Sequence, residues 1–265
     1  MFNMIYKKEF HKTNPVSFSL FELVLFLILG ILLNSIFVSI PFINDFPYLT
    51  GILVELILGL LSLILILRLG LFHKDLFSFK NLFLGFKLGF FIILSGFIQF
   101  IIYLYVNNGN SINIIWVSVF SSILYSFAVG FYEEVFMRGL ILQNLVENYK
   151  TKSNGFYNAV FISAIVFGLA HLINILHAPL FDTLIQVVYS IAAGVIFGAV
   201  FIKTRNLLSI ILLHGIFNLF TYLAVNLYSL NFISYNLVNY PLIYIFYNIF
   251  IIIGNFLIGL WILEK

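Results

Sequence analysis

Six residues in three short stretches carry groups that can do chemistry, and all six lie in apolar surroundings. "GFYEEVFMRGLI" holds Glu133, Glu134 and Arg138, "VFGLAHLIN" holds His171, and "ILLHGIFNLF" holds His214 and Asn218. A spacing of four puts two residues on one helix face, so Glu134 and Arg138 are expected to pair and His214 and Asn218 to look the same way. Glu133 and Glu134 are adjacent and point in different directions around a helix. Glu133 is then the unpaired carboxylate, turned toward another helix. A free Glu, two His and one Asn spread over three helices are the ingredients for activating a water and stabilising an oxyanion.

Each group also has a plainer reading. A lone intramembrane His or Asn commonly makes an interhelical hydrogen bond, and Glu134 with Arg138 fits a structural salt bridge. The coincidence of all of them in one chain favours chemistry. The remaining histidines fall outside: His11 and His73 in polar end segments, His177 beside Pro179 at the end of an apolar run. Glu22 and Glu55, at the inner end of the first run and the outer part of the second, are explained by snorkelling to an interface and are left out of the site.

The surroundings are those of a membrane. Of 265 residues, 63% are hydrophobic, 19% aromatic and only 9% charged, and the mean hydropathy is +1.13. An ionisable side chain kept inside such a span costs about 2.5–3.5 kcal/mol on insertion scales, so it is a functional candidate by default. Cysteine is absent, which removes disulfides, thiolate nucleophiles and Cys-ligated metals. No polar tract is large enough for a separate soluble domain, so residues 1–265 read as one transmembrane domain with a motif-bearing core at about 130–220.

The fold class expected is an all-α polytopic membrane protein. Eight segments are long enough to cross a hydrocarbon core of about 30 Å: Phe18 to Ile40, Leu49 to Leu71, Leu82 to Val106, Ile112 to Gly130, Phe156 to Leu176, Leu180 to Ile202, Asn206 to Leu230 and Pro241 to Leu263. The fourth, fifth and seventh carry the six residues and are expected to form the cavity. The first is too long for a signal-peptide core and is read as a retained span. Lys and Arg alternate between connections: Lys7, Lys8 and Lys12, then Arg68, Lys74 and Lys80, then Lys150 and Lys152, then Lys203 and Arg205, and finally Lys265. The intervening loops, among them "PFINDFPY" and "VNNGNS", have none. Basic residues accumulate on the cytoplasmic side, which places both termini there and makes the protein a multi-pass component of the cell membrane.

The three stretches also match a known pattern. "EEVFMR" fits EExxxR, "FGLAH" fits FxxxH and "HGIFN" fits HxxxN, in that order and on separate apolar helices. This resembles the CAAX protease and bacteriocin-processing (CPBP, or Abi) family, and every signature position is present. The resemblance implies an intramembrane endopeptidase of glutamate or metallo type, a CAAX prenyl protease-like hydrolase. In it Glu133 corresponds to the base that activates water, assisted by His171, while His214 and Asn218 face the oxyanion. It further implies that Glu134 and Arg138 support the site and that Phe167 packs beside the catalytic histidine. A metal-free machine is the preferred form, and zinc held by Glu133, His171 and His214 is the alternative.

The expected substrate is a peptide or protein, prenylated or otherwise hydrophobic, reached from the lipid bilayer; no nucleic acid is expected. Usage rich in Ile, Asn, Phe and Leu points to an AT-rich, bacterial genome. Two other classes compete: a non-catalytic scaffold binding a signalling or envelope protein, and a transporter or proton pathway, the latter lacking internal repeats. Depth raises a difficulty. At 1.5 Å per residue, His214 lies about 12 Å from the basic end of its span and His171 about 22 Å, and the fourth span continues past Glu133 for a total of about 50 Å. The fifth helix is therefore expected to start below the membrane surface or tilt, and the fourth to break near Gly130 and Gly139 or project from the membrane.

Overall fold

A computed structural model describes residues 10–107, 114–227 and 241–265. Lys7, Lys8, most of "VNNGNS" and the last residues of the seventh expected span lie outside the described residues. Those described are helical, with no strand among them. In chain order the helices are α1 (Phe10–Thr13), α2 (Pro15–Val38), α3 (Pro41–Asn44), α4 (Leu49–Arg68), α5 (Leu82–Leu88), α6 (Phe90–Val106) and α7 (Trp116–Glu134). A π-helical segment (Val135–Leu142) joins α7 to α8 (Gln143–Tyr149). Then follow α9 (Gly155–Ala170), a 3-10 turn (His171–Leu176), α10 (Leu180–Thr204), α11 (Leu207–Leu227) and α12 (Pro241–Glu264).

The chain is a multi-pass membrane protein. Six helices are long and apolar enough to cross a bilayer, and α5 with α6 makes a seventh if that pair, bent by 57°, is one span. The bend falls at Gly89, where a Cβ would lie 2.4 Å from Leu213. The expected count of eight is not reached because α7 falls short of that apolarity: four serines, two tyrosines and two glutamates interrupt it. The helix with the chemistry is the least lipid-like one; it packs chiefly against α11 and α4, with three of its four serines and Glu134 buried while Trp116, Val117, Phe120 and Leu124 remain exposed.

Small residues set how closely the helices approach, as expected where lipid removes the hydrophobic drive between them. At Gly130 of α7 a Cβ would lie 2.9 Å from the Ile211 carbonyl and 3.0 Å from the Gly215 nitrogen, while a Cβ at Gly215 would strike Phe127 at 2.3 Å. The two backbones touch there, one turn before the glutamates on α7 and directly after His214 on α11. Between α9 and α10, a Cβ at Gly194 would meet Ala164 at 2.7 Å and one at Gly168 would meet the Val187 carbonyl at 2.9 Å.

Three local expectations change. The helix through Glu133 breaks at neither Gly130 nor Gly139; from Trp116 to Tyr149 it runs on, and its winding loosens into the π segment, which takes in Arg138 and Gly139. π turns are rare and occur most often at functional sites. The fifth expected span ends its α-helix at Ala170 and tightens into the 3-10 turn at His171, so His171 stands at a helix end rather than within one. Glu22 is wholly buried within the protein rather than snorkelling, and Glu55 has its Oε2 closed off from solvent.

The end carrying most basic residues is stitched by polar side chains. Asn206 donates to the Ser78 and Lys80 carbonyls at 2.6 and 2.8 Å, and its Oδ1 accepts from the Ser209 N–H at 2.7 Å, capping α11. The Leu207 N–H donates to the Leu76 carbonyl at 2.7 Å, and Gln143 donates to the Leu71 carbonyl. Leu71 and Leu76 are buried by these ties, so the 69–81 loop is a fixed floor under the helices.

Candidate active site

The tight connection between α10 and α11 sets the level of the site. Arg205 takes a left-handed conformation with φ 54° and Asn206 caps the next helix, so two residues reverse the chain. Phe197 lies seven residues before the end of α10 and His214 seven after the start of α11, about 10 Å from the turn in each case. Their rings stack at 5.1 Å with an interplanar angle of 26°. The Gly130–Gly215 contact then brings α7 against α11 so that both glutamates reach this histidine.

Three side chains are joined there. Arg138 donates from its guanidinium to Glu134 Oε1 at 3.1 Å, the pair expected from the i,i+4 spacing. Glu134 Oε1 also lies 2.7 Å from His214 Nδ1. Glu134 is fully buried and Arg138 is the largest side chain buried to that extent. Two rings flank the guanidinium, Phe167 at 4.6 Å and Phe197 at 5.1 Å from their centroids. Its remaining nitrogens Nε and NH2 have no hydrogen-bond partner, so carboxylate and aromatic faces together offset the cost of the buried charge.

With an ionised Glu134 accepting at Nδ1, Nδ1 carries the hydrogen and Nε2 is left to face elsewhere. It faces Glu133, whose Oε2 is 3.7 Å away. Glu133 is the more open of the two glutamates, its side chain 23% exposed against none for Glu134. A separation of 3.7 Å is too long for a direct hydrogen bond and invites the question of a shared water. Geometrically, one water can lie within hydrogen-bond reach of both atoms.

His171 stands a step apart. Its Nδ1 lies 2.9 Å from the Phe167 carbonyl, and since a carbonyl only accepts, Nδ1 again holds the hydrogen and Nε2 is the free base. Its ring meets Phe167 edge-on at 5.0 Å, and Phe167 meets His214 edge-on at 6.2 Å. Phe167 thus separates and orients both histidines. His171 pairs with no carboxylate among the described residues. Asn218, half-buried one turn beyond His214 on α11, makes no side-chain hydrogen bond among them. The sequence-level reading missed Phe197. Its signal was its place between Gly194 and Gly198, seven residues from a tight turn.

The depth problem resolves through α9. Phe167 reaches the level of Phe197 and His214, yet lies twelve residues into α9, about 18 Å against about 10 Å on α10 and α11. The fifth helix therefore begins about 8 Å, or one and a half turns, beyond the level of the Arg205–Asn206 turn. As to a metal, among the described residues no three His, Cys, Asp or Glu side chains are disposed to hold one ion; Glu133 and His214 converge, and His171 does not join them.

No curated protein and no solved structure matches the chain. A family model does: type II CAAX prenyl endopeptidase Rce1-like, over residues 114–220. That stretch starts just before α7, ends within α11, and contains Glu133, Glu134, Arg138, Phe167, His171, Phe197, His214 and Asn218. Over the region that builds this site, the chain is similar to the Rce1-like family of type II CAAX prenyl endopeptidases.

Proposed function

We propose that the protein is an intramembrane endopeptidase that hydrolyses a peptide bond in a lipidated or apolar peptide, with Glu133 as general base. The observation that carries this reading is the approach of Glu133 Oε2 to His214 Nε2 at 3.7 Å, with Glu134 gripping the far side of the same ring at 2.7 Å. A water between Glu133 and His214 has both hydrogens engaged, which turns its lone pair toward an incoming carbonyl carbon. Glu133 takes one proton as the oxygen attacks, and returns it to the amine as the C–N bond breaks. Asn218 donates its side-chain N–H to the oxyanion, the role the family resemblance implies for it, while His214 accepts from the water at Nε2. His171 assists from the start of the 3-10 turn that follows α9, with the lone pair on Nε2. Glu134, Arg138, Phe167 and Phe197 do not meet the substrate; they hold His214 in one tautomer and one orientation.

Every step is carried by side chains of this chain, and none is routed through a metal. The spans are eight, counting α7 and the bent α5–α6 pair, both termini are cytoplasmic, and the cavity formed by α7, α9 and α11 opens to the cytoplasm. The test is cleavage in proteoliposomes by the wild type and by Glu133→Ala, His171→Ala and His214→Ala. A positioned acid or base contributes roughly 10²–10⁴-fold, so Glu133→Ala and His214→Ala should each lose at least about a hundredfold. Wild-type rates in all three variants would rule the assignment out, and a wild type that cleaves nothing in a broad apolar peptide panel would favour a scaffold.

A further inference from the structure

Glu55 is a third carboxylate near this site, and the mechanism leaves it unused. It lies on α4 between Gly51 and Gly59, four residues from each, on the face turned to α7. A Cβ at Gly51 would sit 2.6 Å from the Tyr125 ring, and one at Gly59 would sit 2.3 Å from the Phe131 ring. The two helices therefore run side by side in the same direction, with Glu55 level with residues near 128. Glu133 is about five residues further along α7, or about 7 Å. Glu55 Oε2 is shut off from solvent and has no hydrogen-bond partner.

An aromatic cluster begins one turn of α4 away, where the Tyr125 ring lies against Gly51. Tyr125 of α7, Tyr222 of α11 and Tyr48 ahead of α4 meet one another at centroid distances of 5.2, 5.3 and 5.7 Å. Three carboxylates, Glu55, Glu133 and Glu134, lie in apolar surroundings with one guanidinium, Arg138, already engaged by Glu134 and two rings. Such a negative excess is stable only with a proton or a bound cation to offset it. A carboxylate one helical turn from a tyrosine cluster is suited to a cation, whose long stem can cross the rings.

We propose that Glu55, with Tyr125 and Tyr222, forms a subsite for a basic side chain of the peptide substrate, one or two residues from the scissile bond. The position rests on the protease reading, which fixes the scissile bond at Glu133. An extended peptide advances about 3.3 Å per residue, so two residues span the roughly 7 Å from Glu133 to Glu55. A lysine stem lies along the tyrosine faces and brings its ammonium to Glu55 Oε2, the oxygen that has no hydrogen-bond partner among the described residues.

The experiment measures equilibrium binding and cleavage of two capped peptides, acetyl-Leu-Val-Lys-Leu-Val-amide and its norleucine counterpart, by the detergent-purified protein. A charge-assisted contact in a desolvated site predicts about tenfold tighter binding of the lysine peptide to the wild type. Glu55→Gln, which keeps shape and removes charge, abolishes that preference, and Tyr125→Leu reduces it in protein that elutes as a single species. Equal affinity for both peptides in the wild type, including no binding of either, overturns the proposal and leaves a proton on Glu55 as the remaining account of the charge excess. So does a preference that survives Glu55→Gln. A protein that prefers the lysine peptide yet cleaves neither upholds the subsite and contradicts the protease reading.

Discussion

Glu134 has two partners on one oxygen, and this changes its standing among the three charges. The sequence places it in a structural pair with Arg138, and the pair is there; the same oxygen also holds Nδ1 of His214. Removing it leaves a fully buried guanidinium without its carboxylate. Glu134→Ala is therefore expected to destabilise the protein by about 3–5 kcal/mol, the usual cost of breaking a buried pair, read as a loss of thermal stability in detergent. Phe197→Ala removes a ring that covers both Arg138 and His214 and is expected to cost a similar 3–5 kcal/mol or so. Phe197→Leu keeps the volume and loses the π face, so it should cost less stability and lower the turnover of what remains. These residues differ in legibility. Glu133, Glu134, Arg138, His171, His214 and Asn218 stand out because a charge or imidazole in an apolar run needs a reason. Phe197 does not, because one phenylalanine among thirty-three carries no charge to explain; its place between Gly194 and Gly198 is a faint signal, and the stacking geometry identifies it. Glu55 was visible as a charge and misassigned, since depth along one helix does not reveal what the neighbouring helix presents.

At the scale of the element, glycine decides the site. Gly130 and Gly215 let α7 and α11 touch backbone to backbone, and a methyl group at either meets atoms at 2.9 or 2.3 Å. Gly130→Ala is the sharper test, since its neighbours are backbone atoms that cannot swing aside. It should lower cleavage by more than it lowers stability, because a separation of a few tenths of an ångström moves both glutamates away from His214. Cleavage and unfolding temperature measured on the same preparation check this. The π segment was not legible, because its sequence, VFMRGLIL, reads as ordinary helix; widening is imposed by packing around Arg138. Likewise the 3-10 turn at His171 follows from the end of α9 rather than from any breaker residue. The floor under the helices gives a pH prediction. His73 in the 69–81 loop and the buried His11 ring both have pKa values lowered from 6.5, chiefly by burial, with Arg205 and Lys12 respectively adding to it. A histidine that folds neutral contributes stability that is complete above about pH 6.5 and is lost as pH falls toward its lower folded value. Thermal stability should drop as pH falls below about 6.5, and by less in His73→Gln.

For the whole molecule, the sequence and the fold agree on the broad layout, since long apolar runs become helices and the basic connections gather at one end with the Asn206-stitched floor. Disagreement concentrates on the helix that matters most: α7 is too polar to rank as a lipid-crossing segment by composition because its polar residues face other helices. The cysteine-free chain makes the orientation directly testable. Single cysteines at Lys74, Lys150 and Lys203 should label only from the cytoplasmic side, and cysteines at Asp45 and His177 only from the other; labelling of all five from one side contradicts eight crossings. The central claim, that Glu133 activates a water for peptide hydrolysis, is tested most directly in liposomes by proteolysis in H₂¹⁸O of a panel of prenylated and unprenylated apolar peptides. The account predicts a new C-terminal carboxylate carrying ¹⁸O with the wild type and a rate at least about a hundredfold lower with Glu133→Gln. Equal rates in the two proteins, or a product without ¹⁸O, would contradict it.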